Sequence, residues 1–138
     1  MGRMSRDKGA RGEREVKDLH NTFFKELGLN VQMQRNSSGQ ADGGGYDLVG
    51  LQFLAIEVKL QEGPYQEIWW KQCLEQCSFG QTAVLWYRRN RIKWRVRMIG
   101  TVENVEMLVD ITPEDYFRWL KARLAIRSAT QQLEDGFR

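Results

Sequence analysis

Asp47, Glu57 and Lys59 are the residues of this 138-residue sequence whose types and spacing could do chemistry. In Ile56-Glu57-Val58-Lys59-Leu60 a strand would put Glu57 and Lys59 on one face and the three apolar residues on the other. Alone, that fragment also fits a solvated strand face. Asp47 shifts the weighing, because it opens the preceding strand and a hairpin turning at Gly50 brings it beside Glu57. Two carboxylates and a lysine at the loop end of a sheet form a hard-oxygen site suited to Mg²⁺ or Mn²⁺. The reaction that needs such a set is phosphodiester hydrolysis, with one or two cations polarising the phosphoryl oxygen, lowering the pKa of a bound water and stabilising the leaving oxygen. Lys59 would orient or deprotonate the water, or offset charge developing on phosphorus. The carbonyl of Val58 is a further candidate ligand. Asp42 is a rival for the aspartate role, but it lies inside a glycine-rich loop where fixed metal geometry is harder to hold.

The elements that must position these groups follow from periodicity. Val16, Leu19, Phe23, Phe24 and Leu27 recur at helical spacing, so residues 10–27 are expected to form a helix stopped by Gly28. On that wheel Glu13 falls about 55° from the centre of the apolar stripe and Glu15 about 105° away, so Glu13 is the one that faces the sheet. A charge at the edge of a core face needs a partner or a metal; the competing reading is a first-turn glutamate favoured by the helix dipole. Residues 1–9 read as a basic arm. Strands are expected at 30–35, 46–49, 52–60, 82–87 and 91–99, and residues 36–45 form a loop. A helix starting at Pro64 runs to about Cys77. Thr112-Pro113-Glu114-Asp115 resembles a helix start, leading to about Ile126, with a frayed tail after Ser128. The expectation is a single domain of α/β (α+β) class, a mixed five-stranded sheet flanked by helices.

With these elements in place, Asp47 and then Glu57-Val58-Lys59 ten residues on, followed by a helix, resemble the core of the PD-(D/E)XK nucleases, whose fold is the restriction-endonuclease-like one. The opening Gly9-Ala10-Arg11-Gly12-Glu13-Arg14-Glu15 is similar to that of archaeal-type Holliday junction resolvases, and to small phage nucleases sharing the core. The resemblance covers roughly residues 8–96. The motif's nominal proline is absent, Tyr46 standing before Asp47. It implies that Glu13, Asp47, Glu57 and the Val58 carbonyl hold Mg²⁺ (or Mn²⁺), and that Lys59 acts on the nucleophile. It also implies a polar residue on the following helix, for which Gln72 is the choice, with Gln66 and Gln76 as rivals.

Charge distribution points to the partner. The net charge is only +3, but residues 88–97 carry six basic residues and no acid, whereas residues 101–116 carry Glu103, Glu106, Asp110, Glu114 and Asp115 and no base. In residues 91–98, Ile92, Trp94, Val96 and Met98 are expected to face the core, and Arg91, Lys93, Arg95 and Arg97 to face outward. Such a row repels itself unless a polyanion neutralises it, although charged outer strand faces and edge protection are common. Arg6, Lys8 and Arg11 on the arm, and Arg35, Ser37 and Ser38 near the site, are further candidates for phosphate contact. Such contacts give salt-dependent affinity without base readout.

Several classes are set aside. With 41% hydrophobic and 28% charged residues the composition is globular rather than disordered. No apolar run approaches the roughly 18 residues of a membrane span, and the basic N-terminus does not resemble a secretory signal. A cytoplasmic protein of a bacterial or archaeal cell, or of a phage-infected host, is expected, without a small-molecule cofactor. Cys73 and Cys77 with the distant His20 make a poor zinc set; the cysteines read as reduced thiols and His20 as a core histidine. Adjacent Trp69 and Trp70 cannot both pack on one narrow neighbour, so one is expected to meet a partner chain, and a homodimer on branched DNA is anticipated. The function these readings favour is a metal-dependent, structure-selective DNA endonuclease of Holliday junction resolvase type. The alternatives are a nuclease acting on flap, nicked or duplex DNA, and an inactive DNA-binding module.

Overall fold

The computed structural model describes residues 2–36 and 46–136, with the side chains of residues 2–8 and 134 outside that description. Helix α1 spans Gly2–Glu26. It ends as Gly28 takes φ 70, with Leu29 N–H donating to the Phe24 carbonyl at 2.9 Å and Gly28 N–H to that of Lys25 at 3.0 Å. This is the left-handed glycine stop expected from sequence. Strands β1 (Gln34–Arg35), β2 (Leu48–Val49) and β3 (Leu54–Gln61) are followed by helix α2 (Glu67–Glu75). Strands β4 (Thr82–Arg89), β5 (Arg95–Val102) and β6 (Val105–Ile111) precede helix α3 (Pro113–Gly136). Thr112 Oγ1 accepts the Asp115 N–H at 3.1 Å, so the Thr-Pro-Glu-Asp start behaves as a cap.

The sheet runs β1-β2-β3-β4-β5-β6 among the described residues, antiparallel except for the β3–β4 pair, which is parallel because α2 crosses between them. One face carries Ile56, Val58, Trp86 and Val96 against Val16 and Phe24 of α1 and Tyr116 and Leu120 of α3. On the other face α2 lays Trp69, Trp70 and Cys73 over Ala83 and Leu85. Both tryptophans are therefore buried within the chain, against the expectation that one would meet a partner. A helix lying on a broad sheet directs residues 100° apart to either side of Cys73, and both find cover. His20 is fully buried in the first layer, as expected; its Nδ1 lies 2.8 Å from the Val16 carbonyl and its Nε2 2.7 Å from the Tyr116 hydroxyl. Burial lowers its pKa to about 4, which keeps it neutral. Cys73 and Cys77 are free thiols.

Several expectations need correction. The sheet has six strands rather than five: β6 occupies part of the segment read only for its acidic charge. Strand β5 begins at Arg95 rather than at 91, because Arg91 takes φ 66 and breaks the extended chain. Ile92 is accordingly 55% exposed and not in the core. Helix α2 starts at Glu67 rather than at Pro64, since Gln66 is still extended (φ −122, ψ 132). Finally, α1 takes in the stretch read as an arm, and α3 runs to Gly136 instead of fraying after Ser128. Ala, Gln, Leu and Glu are good helix formers, and they carry the second of these helices onward. Among the described residues no helix is long and apolar enough to cross a membrane.

Two glycines decide where the carboxylates sit. Gly12 faces β3, and a Cβ there would lie 3.0 Å from Leu60 Cβ and 3.4 Å from Val58 Cγ1, so its absence lets α1 approach the strand beside Glu13. Gly50 takes φ 152, and a Cβ would come within 2.6 Å of the Gln32 carbonyl oxygen and 2.7 Å of Met33 Sδ. That turn fixes the register of β2 on β3, and with it Asp47. Gly50→Ala is expected to lower unfolding stability by about 1–3 kcal/mol, read as a lower urea midpoint; an unchanged midpoint would show that the turn relaxes freely.

Candidate active site

Strand β2 is short, and Asp47 stands at its entrance. Its N–H donates to the Ile56 carbonyl (2.8 Å), its carbonyl accepts from Asn36 N–H (2.8 Å), and Asn36 Nδ2 donates to the Tyr46 carbonyl (2.9 Å). Leu48 pairs with Ile56, so beyond that point the β3 edge is open. There Val58 N–H, finding no strand partner, donates to Asp47 Oδ2 at 2.8 Å. In a strand the N–H and C=O of one residue point the same way, so the Val58 carbonyl is also directed to this open edge.

Glu57 and Asp47 are buried, at 5% and 9% exposure, and their carboxyl groups share a hydrogen bond. Burial, then the Asp47 charge beside it, pushes the Glu57 pKa up to about 8, while the Lys59 charge pulls it down. Burial also raises Asp47, to about 6, opposed first by the Val58 N–H. Two carboxylates this close cannot both ionise without a compensating cation, so near neutral pH the pair holds about one proton, donated by Glu57 to Asp47. Lys59 is half-buried two residues along on the face of Glu57, near enough for its charge to lower both acids.

Glu13 is the third acid, and its charge is felt by both carboxyls. It also accepts from Arg35 Nε at 2.7 Å. The neighbouring Glu15 goes elsewhere: it takes Arg88 Nη2 at 2.7 Å and Trp94 Nε1 at 3.2 Å, over β4 and the start of β5 rather than the β2 edge. The helical-wheel distinction between the two glutamates is thus visible in the contacts. The donor set suits a hard divalent cation, but it does not converge on one point. Among the described residues no group of three or more acidic, histidine or cysteine side chains stands ready to enclose a metal. Asp47 and Glu57 hold one another, and Arg35 holds Glu13.

The remaining sequence candidates fall into four groups. Gln72 is half-buried on α2 and Gln66 exposed, and among the described residues no hydrogen bond joins Gln72 to the carboxyls. Cys73 is the α2 side chain that feels Glu57 and Asp47; burial, with Glu57 next, pushes its thiol up to about 12. Nothing in the sequence signalled Cys73 or Asn36 as neighbours of the site. Arg91, Lys93 and Arg95 are exposed, and Arg11 reaches Asn90 Oδ1 at 3.1 Å. Arg97 is the correction. Its Nε and Nη2 each lie 2.9 Å from the Asp110 carboxylate, and its guanidinium lies 4.1 Å from the Tyr65 ring centre. Register explains this, since β5 and β6 place Arg97 opposite Asp110; part of the supposed need for an external anion is met inside the fold. The side chains of Arg6 and Lys8, together with Ser37, Ser38 and Asp42, lie outside the described residues.

The coupled carboxyls make a pH prediction. Both folded pKa values are raised, so their contribution to stability is fully present below the unfolded values of 3.8 and 4.5 and is lost as pH rises through about 6 and 8. In EDTA, Glu57→Gln should therefore melt close to wild type at pH 4.5 and above it at pH 9, by an amount on the order of 2–4 kcal/mol. A difference that does not grow with pH would contradict the buried pair.

Neither a protein-family model nor a curated protein matches the chain. Among solved structures it is similar to Hjc, a Holliday junction resolvase from the archaeal hyperthermophile Archaeoglobus fulgidus, at 22% identity and a TM-score of 0.44, covering 72% of this chain and 85% of that chain.

Proposed function

We propose that the protein is a divalent-metal-dependent DNA endonuclease, and most specifically a Holliday junction resolvase. The observation that carries this reading is the buried, hydrogen-bonded Asp47–Glu57 pair with Lys59 beside it, at a point where β2 ends and the sheet edge opens. Burying two acids against one another is unfavourable, and a cation relieves it as a proton does. Asp47, Glu57 and the Val58 carbonyl would hold Mg²⁺ (or Mn²⁺), and Glu13 would join them by leaving Arg35. When bound, one or two such ions supply a polarised phosphoryl oxygen and a water of lowered pKa.

The chain's own residues do the rest. Asn36 and the Val58 N–H fix Asp47. Lys59 orients the attacking water and offsets the charge on the phosphoryl group. Arg35, released from Glu13, is free to meet a phosphate. Exposed Arg91, Lys93 and Arg95 bind the backbone beyond the site, with Arg11 beside Asn90 as a further contact. A junction presents two strands to be cut, and a homodimer with one site on each is the matching assembly. The β5–β6 hairpin, with Val102, Val105, Met107 and Leu108 exposed, offers the apolar surface for it.

The test is to incubate the protein with labelled four-way junction, flap, nicked and linear duplex DNA, in Mg²⁺ or in EDTA. Paired nicks on the junction in Mg²⁺ alone are expected. Equal cutting of every substrate would replace the junction by a general nuclease, and binding without cutting would overturn the enzymatic reading.

A further inference from the structure

We propose that a recess on the α2 face, walled by Tyr65, Trp69 and Tyr87 and rimmed by Arg89, Lys93 and Arg95, holds one unstacked nucleobase of a bound DNA strand. The inference rests on the DNA-cleaving reading above and adds to it a base-binding subsite. The recess measures about 260 Å³, just below the range of pockets for drug-sized ligands and suited to a single ring system. Its walls are an aromatic cluster: Tyr65 and Tyr87 ring centres are 5.0 Å apart, Tyr65 and Trp69 5.5 Å, Trp69 and Tyr87 6.4 Å. Ile92, 55% exposed, lies at its mouth as an apolar edge.

The rim is cationic, with Arg95 also near enough to Asp110 to help hold its carboxyl down. Arg89, Lys93 and Arg95 are exposed, and among the described residues none of them is in a direct ion pair with a carboxylate. Asp110 and Glu67, the acids on this side, are both drawn to Arg97. Rings below and cations around them are the combination that binds single strands, by stacking a base and tracking its phosphates.

Register ties the recess to the candidate active site. Lys59 pairs with Tyr87, and Tyr87 with Arg95, all on the face that carries Glu57. Adjacent strands lie about 4.8 Å apart, so Tyr87 is one strand spacing from Lys59 and Arg95 two. A strand whose phosphate rests at Lys59 thus passes its neighbouring nucleotides over the recess. A base at a branch point, flap or frayed end leaves its stack easily, whereas one inside intact duplex must be unpaired at a cost of a few kcal/mol. The recess therefore gives the site a preference for interrupted duplexes without reading their sequence.

The experiment is fluorescence anisotropy in EDTA, so that it does not depend on cleavage. The probes are an eight-residue oligothymidylate, the same oligomer with abasic residues in place of thymidine, and free thymidine monophosphate as competitor. Wild type should bind the base-bearing oligomer about tenfold more tightly than the abasic one. Tyr65→Leu should erase that difference and leave abasic binding unchanged. Lys93→Ala, at an exposed position that does not threaten folding, should weaken both probes alike. Equal affinity of wild type for the two oligomers, or displacement by the mononucleotide at the oligomer's own concentration, would overturn the recess as a strand site. Such a result alongside intact metal-dependent cutting would fault the recess alone. Base preference without any cutting would fault the nuclease reading and keep the recess, and failure of the wild type to bind either oligomer would overturn the recess and leave the nuclease reading to the junction-cleavage test.

Discussion

Asp47→Asn and Lys59→Ala are each expected to lower junction cleavage by about 10²–10⁴-fold in saturating Mg²⁺, with DNA binding kept within a few-fold. The two losses have different physical origins. Asparagine keeps a side-chain oxygen to accept the Val58 N–H, so the local fold survives, but the charge that would balance a cation is gone. It also removes one member of a pair that resists joint ionisation, so this variant should melt no lower than wild type above pH 7. Lys59→Ala does the reverse. It leaves the acids in place and deletes the charge that lowers them both, so Glu57 should stay protonated to higher pH and the metal requirement should rise. Metal titration of the cleavage rate separates these cases. Wild-type rates in either variant would mean that the cluster is structural.

Trp86→Ala is the largest stability effect to expect. Trp86 is fully buried where α1, α3 and the sheet meet, its ring centre 5.6 Å from His20, 5.1 Å from Tyr116, 5.8 Å from Phe117 and 6.0 Å from Trp94. The cavity left by an indole is lined by aromatic rings that cannot collapse into it. A loss of about 3–5 kcal/mol follows, a large share of the roughly 5–15 kcal/mol that holds a domain together. In a chain of this length that corresponds to a drop of the order of 10–20 °C in melting temperature. A shift of only a degree or two, measured calorimetrically, would show that the layer between α1 and α3 repacks easily.

These residues also show what could be read in the sequence. The Glu57–Lys59 alternation, the Gly50 turn and the wheel position of Glu13 rest on short-range periodicities, and each reappears as a contact: the shared hydrogen bond with Asp47, the tight passage by Gln32, the charge felt by both carboxyls. Long-range pairings were not legible. Arg97 looked like one of four free cations because only the β5–β6 register sets it opposite Asp110. Strand β6 itself alternates Val105, Met107, Val109 and Ile111, but the turn before it is Glu103-Asn104, two non-glycine residues at φ 49 and 68, without the usual hairpin glycine. Its acids drew attention to charge and away from period. Extending the strand period through Arg91 would put Ile92 in the core, but the left-handed Arg91 interrupts that period. Arg35, expected near the site as a phosphate contact, instead holds Glu13, a pairing that no sequence spacing announces.

Calorimetric titration of Mn²⁺ into the protein at pH 7, repeated in buffers of different ionisation enthalpy, bears most directly on the buried acids. If Asp47 and Glu57 receive a cation in place of their shared proton, uptake is saturable and releases about one proton per chain. The double variant Asp47→Asn, Glu57→Gln should then lose both the uptake and the proton release. Absence of saturable uptake by the wild type, or uptake undiminished in the double variant, would contradict a metal site at Asp47 and Glu57.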